Sequence, residues 1–203
     1  MSVVIVDSGL GNIASVKNMV RREGGDAKTS SHPDEILAAT KLILPGVGAF
    51  DHGVDQLHRL GLFSLIQDIA TRGTPLLGIC LGMQLLGNRS EEGAREGLGL
   101  VQANFKRFSF DQGASLPVPH VGWNEIRVMK QNPLVPDHKV EQRFYFTHSY
   151  HAVCENDEDL LATTEYGPPF VAAFSRGSIF GVQFHPEKSH RFGMALIKNF
   201  LDL

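Results

Sequence analysis

The alternation in the N-terminal half is what most constrains the fold. VVIVD (3–7), DAKTS (26–30), KLILPG (41–46) and TPLLGIC (74–80) read as strands, and three of them are nearly continuous apolar runs. Runs of that kind belong to strands covered on both faces. Segments with helical spacing lie between them. Ile13, Val16 and Val20 share one face of a stretch from about 13 to 23, with Asn12 as its N-cap and Gly24-Gly25 as its stop. Residues 33–39 read as a short helix, and 53–72 as a longer one interrupted near Gly61. LGMQLLG begins another helix straight after the fourth strand. This alternation gives a parallel sheet with right-handed crossovers.

After Gly87 the pattern changes. NRSEEGAREGLG (88–99) is a polar, glycine-rich loop. Strands are expected around 100–108, 125–129, 143–147, 160–165, 170–175 and 178–184, with Arg176-Gly177 as a tight hairpin turn. From 191 to 201 a last helix carries Phe192, Ala195, Leu196 and Phe200 on one face, with Ser189 as its expected cap. The expected fold is α/β: an open, mostly parallel central sheet flanked by helices, with an antiparallel, strand-rich C-terminal half. With 203 residues and no repeat or linker, one domain over 1–203 is expected.

Composition argues against several function classes. The formal net charge is −3 and no basic block occurs, so nucleic acid is not an expected partner. No apolar stretch is long enough to span a bilayer, and the chain enters a strand without a leader, so no membrane association is expected. Two cysteines, Cys80 and Cys154, make no disulfide framework, and a reducing cytoplasm follows as the expected compartment. Cys154, in HAVCEND, reads as a strand-end residue with no special role.

Cys80 is different. In LLGICLGMQLL (76–86) it falls at the end of the fourth strand, with Gly78 and Gly82 on either side. Sites in open parallel sheets form at the carboxyl ends of strands. A nucleophile on a strand–turn–helix elbow needs small neighbours, and the following helix start favours a thiolate. The competing reading is an inert core cysteine, since free cysteine is among the most buried residue types.

A thiol nucleophile needs a base. In GVQFHPEKS, His185 ends an apolar run, and Glu187 lies two residues on, on the same side of an extended chain. Glu187 can then hold the imidazole tautomer and orientation. Read alone, this stretch is equally a surface turn that happens to contain His and Glu. A third strand end, LPGVGAF (44–50), offers glycines that let backbone N–H groups approach a bound oxygen. With the N–H of Leu81, that loop could form an oxyanion hole. A phosphate loop is the alternative, but neither G-x-x-x-x-G-K-[ST] nor a full G-x-G-x-x-G is present. His148, His151, His185 and His190 lack metal-ligand spacing, and His148 and His151 are expected on opposite sides of one strand, so no metal is expected.

PGVGAF, GICLGMQLL and FHPEKS, in that order, resemble the class I (triad) glutamine amidotransferases, and the resemblance covers the whole chain. VVIVDSGLGNIASV, the PGVG form of the loop, PHVGWNEI (119–126) and YFTHSY (145–150) are similar to the glutaminase subunits of imidazole glycerol phosphate synthases, of histidine biosynthesis. The resemblance implies Cys80 as nucleophile, His185 as base and Glu187 as orienting acid. It implies Gly46, Val47 and Gly48 as the oxyanion loop, with Leu81 as second donor. Gln84 and the backbone near Ser149 and Tyr150 would grip the amino-acid end of L-glutamine. Asn12, Trp123, Asn124, Tyr145 and Lys188 would face a (βα)8-barrel cyclase subunit in a heterodimer. No cofactor is implied. The implied reaction releases glutamate and passes ammonia to the partner, with the isolated chain nearly silent. A glutaminase serving another synthase and a catalytically idle scaffold are the alternatives.

Overall fold

Val3, Ile5, Val4 and Val6 alternate between two hydrophobic clusters, and the rest of the molecule is arranged around that alternation. The computed structural model describes residues 2–110, 116–135 and 141–203. The first half runs β1 (Val3–Val6), α1 (Ile13–Arg22), β2 (Ala27–Ser30), α2 (Pro33–Leu37), β3 (Lys41–Gly46), α3 (Phe50–Arg59), α4 (Phe63–Thr71), β4 (Leu76–Cys80) and α5 (Leu81–Leu86). The second half runs β5 (Arg89–Ser90), β6 (Ala103–Arg107), β7 (His120–Val128), β8 (Gln142–His148), β9 (Tyr150–Cys154), β10 (Leu160–Glu165), β11 (Pro169–Arg176), β12 (Ile179–Val182) and α6 (His190–Asp202).

Among the described residues the sheet runs in the order β2-β1-β3-β4-β12-β11-β10-β7-β8, with β5, β6 and β9 joined beside it through β11. β2, β1, β3, β4 and β12 pair in parallel. From β12 onward the main path is antiparallel. The expected α/β architecture, a parallel sheet joined to an antiparallel half, is therefore present. One core cluster packs α1 and α6 on one face of the parallel part, through Val16, Val20, Leu196 and Phe200. The other packs α2 to α5 on the opposite face, through Ile36, Phe50, Ile66 and Leu85.

Several boundaries differ from the sequence expectation. The helical stretch 53–72 is two helices, broken at Gly61 with φ +68°, and the first starts at Phe50. β7 starts at His120 rather than near 125, because its ladder with β8 continues through Trp123 to His120 opposite His148. His148 and His151 do not sit on one strand. They flank the β8–β9 bend, and both rings touch Phe108, at centroid distances of 5.2 and 4.9 Å. Asn12 caps α1 as expected, accepting from the Ser15 N–H at 3.4 Å. Ser189 sits at the N-cap of α6 but makes no capping bond. Its hydroxyl donates to the His185 carbonyl at 2.6 Å and accepts from the Tyr145 N–H at 3.0 Å. No helix among the described residues is long and apolar enough to cross a membrane.

Candidate active site

Three neighbouring parallel strands, β3, β4 and β12, end side by side. Cys80 closes β4 and is the one elbow residue with strained backbone, at φ 55° and ψ −110°. A non-glycine residue there costs about 1–3 kcal/mol, which the surrounding structure must offset. The glycines beside it explain how the elbow fits. A Cβ on Gly78 would lie 2.7 Å from the Gly82 carbonyl oxygen, and one on Gly82 would lie 1.7 Å from the Leu44 carbonyl oxygen. Helix α5 can cross β3 and β4 this closely only without side chains at those positions. The polar partner of the sulfur comes from another element.

It comes by way of β12. Its register with β4 ends at Val182 opposite Ile79, so the chain beyond brings Gln183 and His185 alongside Cys80. Gln183 Nε2 donates to Cys80 Sγ at 3.8 Å. His185 Nδ1 bonds Glu187 Oε1 at 2.8 Å, with both side chains almost wholly buried. Nε2 of His185 is buried and without a hydrogen-bond partner among the described residues. The Cys80 sulfur still acts on the imidazole electrostatically while lying outside hydrogen-bond geometry. Burial alone would disfavour the imidazolium; Cys80 and Glu187 outweigh it and push the His185 pKa up to about 9.

Cys80 and His185 line one cavity of about 330 Å³, together with Val47, Gly48, Leu81, Gln84, Ser149 and Tyr150. That volume is at the small end of ligand pockets, which span about 300–1,000 Å³. Every residue expected around the substrate is therefore gathered there except two. Glu187 stands behind His185, and Gly46 stands behind the loop, paired with Cys80 across β3 and β4. Gly48 takes φ +111°, which favours glycine.

The residues expected to face a partner behave differently from one another. Trp123 is 40% exposed, stacks on His190 at 5.3 Å and meets Tyr145 edge-on at 6.2 Å. The Lys188 ammonium lies 5.5 Å from the Tyr145 ring centroid. Asn12 is exposed. Asn124, by contrast, spends its amide internally: Nδ2 donates to the Glu165 carbonyl at 2.7 Å, and Oδ1 accepts from the Glu125 N–H.

Three contributors were not read from the sequence. Glu92, in the 88–99 loop, lines the cavity and accepts from the Phe50 N–H at 2.9 Å. Gln183 is fully buried beside the sulfur. A lone Gln in the apolar run IFGVQF was a usable signal, since an unpartnered amide is costly to bury. The third is a chain of bonds behind the cavity. The Tyr150 carbonyl can only accept, so His148 Nδ1 carries the proton of their 2.7 Å bond. Burial pushes the pKa of His148 down to about 3 and that of His120 down to about 4, so both rings are neutral at pH 7. His148 Nε2 then accepts from His120 Nδ1 at 3.3 Å, and His120 Nε2 accepts from Asn124 Nδ2 at 3.5 Å. Cys154 is half-buried and unpaired, and burial pushes its pKa up to about 12. No group of three or more His, Cys, Asp or Glu among the described residues could hold a metal ion.

A family model described as glutamine amidotransferase class-I matches residues 4–203. The chain is 47% identical over 200 residues to imidazole glycerol phosphate synthase subunit HisH 2 of Methanococcus maripaludis, covering 98% of each chain. It is 46% identical to the protein of the same name from Pseudomonas aeruginosa, covering 99% of each. Among solved structures, it is similar to a putative GMP synthase protein from Thermoplasma acidophilum, with TM-score 0.75, 21% identity and 100% and 92% coverage of the two chains. PurLQS from Thermotoga maritima gives TM-score 0.77 at 18% identity, with 99% and 97% coverage. At these identities the two structures speak to the fold alone.

Proposed function

The chain belongs to the class I glutamine amidotransferases, and we propose that over residues 1–203 it is a single glutaminase domain, the glutamine-hydrolysing subunit of an imidazole glycerol phosphate synthase. One observation carries the chemistry: Cys80 on a strained elbow and His185 share one cavity, brought together by β4 and the chain beyond β12, with Glu187 bonded to His185 from behind. The names of the relatives in two organisms support the finer assignment to histidine biosynthesis.

In this reading Cys80 attacks the carboxamide carbon of glutamine as a thiolate. The proton it gives up rests on His185, whose pKa of about 9 suits it to hold a proton at neutral pH. The tetrahedral oxyanion is received by the Leu81 N–H and by an N–H of the 46–48 loop, each such donor being worth about 10²–10³ in rate. His185 protonates the departing ammonia. It then takes a proton from water, which attacks the thioester carbon and releases glutamate. A positioned acid–base of this kind contributes about 10²–10⁴. Glu187 fixes the imidazole tautomer through Nδ1.

Gln84 and the Ser149–Tyr150 backbone grip the amino-acid end, and Glu92, the carboxylate lining the cavity, suits the substrate ammonium. Ammonia stays nucleophilic only if it is kept from bulk water, which calls for direct delivery to a cyclase subunit. We place that (βα)8-barrel partner against the patch of exposed Trp123 and Lys188 and half-buried Tyr145, in a heterodimer. The residues expected to face the partner adjoin the site on two sides. The Tyr145 carbonyl accepts from the His185 N–H at 2.9 Å, and a Cβ on Gly11, beside Asn12, would lie 3.3 Å from the Gly46 nitrogen. Two unpaired cysteines suit a reducing compartment, and we expect the cytoplasm.

The test is the Cys80→Ala chain assembled with its cyclase. Glutamine-dependent synthesis should vanish while ammonia-dependent synthesis persists. Near wild-type glutamine-dependent turnover would exclude Cys80 as nucleophile, and no association with a cyclase would exclude the synthase assignment.

A further inference from the structure

We propose that Gln183 is a fourth catalytic group, a buried amide that donates to the Cys80 sulfur and at the same time fixes Gln84 for substrate. The proposal rests on Cys80 being the nucleophile.

Gln183 is 0% exposed and Gln84 is 5% exposed. The Gln183 backbone is tied down by its N–H to the Ala172 carbonyl at 2.9 Å. Its side chain has two partners: Nε2 donates to Cys80 Sγ at 3.8 Å, and Oε1 accepts from Gln84 Nε2 at 3.3 Å. A thiolate has no proton to give, so it accepts from an N–H and repels an amide oxygen; Nε2 toward Sγ and Oε1 toward Gln84 is therefore the orientation that suits the charged sulfur. In that orientation the Gln183 oxygen holds Gln84. Its NH₂ is committed to Gln183, which leaves its Oε1 as an acceptor in a cavity meant for a ligand with N–H donors.

The consequence for the reaction follows from where charge sits on sulfur. An N–H aimed at Sγ favours the thiolate before attack. When the thioester is hydrolysed, the C–S bond breaks and its electron pair leaves with the sulfur. The same N–H then stabilises the departing thiolate until His185 shares its proton. A donor at this point serves both half-reactions and touches neither the oxyanion nor the imidazole. Because Gln183 and His185 are two residues apart in the short segment just beyond β12, one stretch of backbone positions both near the sulfur.

The experiment measures alkylation of Cys80 by iodoacetamide against pH on the full chain, with the Cys80 peptide quantified by mass spectrometry. In Gln183→Leu the midpoint should move up by about one pH unit, the equivalent of about tenfold slower alkylation below it. Glutamine turnover in the assembled complex should fall in kcat and rise in KM. Gln84→Leu and Gln183→Leu combined should cost less than the sum of the two. A folded Gln183→Leu with an unmoved midpoint overturns the proposal. A readout on the unaltered protein covers a variant that fails to fold: the Gln183 side-chain NH₂ resonances should titrate together with Cys80, and resonances that ignore that titration overturn it equally. A wild-type assembled complex that resists a diazoketone analogue of glutamine at Cys80 would instead overturn the nucleophile assignment.

Discussion

Gly46 stands directly opposite Cys80 in the parallel register of β3 and β4. That pairing places the expected oxyanion loop beside Cys80 without any contact between their side chains. It also leaves almost no room: a Cβ on Gly46 would lie 2.9 Å from Leu81 Cβ and 3.0 Å from the Gly82 nitrogen. The elbow, the loop and the start of α5 are thus one close-packed backbone unit.

The glycines of this unit should differ in what their loss costs. A Cβ on Gly82 meets the Leu44 carbonyl oxygen at 1.7 Å, and neither backbone can retreat without breaking the sheet. Gly82→Ala should cost about 3 kcal/mol or more, which lowers Tm by about 6–12 °C in a chain of this size. Gly48 has nothing within 4 Å of the same atom, and only its φ of +111° penalises a side chain. Gly48→Ala should cost about 1–3 kcal/mol. Thermal melts that rank Gly48→Ala as the worse variant would contradict the steric account of the elbow.

What could be read in the sequence followed locality. Cys80 closes β4 and His185 lies three residues past the end of β12; both end apolar runs, so their place near strand ends was visible in the pattern of neighbouring residues. The break at Gly61 and the hairpin at Gly177 were visible for the same reason, since φ values of +68° and +58° suit glycine. That β12 returns to pair beside β4 was not visible, because register between distant strands is set by tertiary packing. Gln183, Glu92 and His120 take their roles only from such pairings. Ser189 shows the limit most clearly. A serine before a helix signals a cap, yet its hydroxyl is drawn instead to the His185 carbonyl and the Tyr145 N–H, which only the fold brings near. Asn124, likewise, is turned inward by the Glu165 carbonyl that β10 delivers.

Stability should fall on both sides of neutrality for identifiable reasons. Burial disfavours the His185 imidazolium, but Cys80 and Glu187 overcome this and hold its pKa near 9, above the unfolded 6.5. Its contribution is fully present below pH 6.5 and is lost as pH rises through about 9. Urea unfolding at pH 6 and pH 9.5 should show the wild type losing more stability than Glu187→Gln, because the variant lacks the charge that retains the proton. An equal loss in both would mean that the pair is not what holds it.

On the acid side the sign is reversed. Burial depresses His148 to about 3 and His120 to about 4, below the unfolded 6.5. The unfolded chain takes up these protons first, so stability present above pH 6.5 is lost as pH falls toward 4. His120→Gln should flatten that decline between pH 6.5 and 4. It should also raise KM for glutamine several-fold, since His148 would lose the partner that fixes it against the Tyr150 carbonyl. An unchanged acid limb together with an unchanged KM would remove the bonded chain from any role in the site.

Glu92 makes a narrower claim. Its carboxylate lines the cavity and is held by the Phe50 N–H. Hydrogen bonds to charged groups are worth about 1.5–3 kcal/mol. Glu92→Gln, which keeps an acceptor for Phe50, should therefore raise KM about 10- to 100-fold and leave kcat nearly intact. A variant with normal KM and reduced kcat would move Glu92 from binding the substrate to supporting the loop.

Trp123 connects the exposed patch to the reaction centre. It stacks on His190, a non-glycine residue at φ +46°, and it meets Tyr145, whose carbonyl holds the His185 N–H. A partner that covers Trp123 would thus bear on the segment after β12 that carries His185. Buried aromatic anchors of interfaces commonly contribute about 2 kcal/mol or more, so Trp123→Ala should weaken cyclase binding at least about 30-fold. Activation is the more demanding question. The glycine-bounded peptides at 46–48 can carry an N–H toward or away from the oxyanion, and moving such a two-state element from 1:99 to 99:1 takes about 5.5 kcal/mol of differential binding. A typical coupling supplies about 1–3 kcal/mol. One binding event is then too little for a full switch, and docking of the cyclase plus occupation of its own site should both be needed. Glutamate release should rise stepwise from the isolated chain, to the complex, to the complex with a cyclase ligand, and Trp123→Ala at saturating partner should blunt both steps. Equal rates in all three wild-type states would rule out the switch and leave the chemistry of Cys80 and His185 untouched.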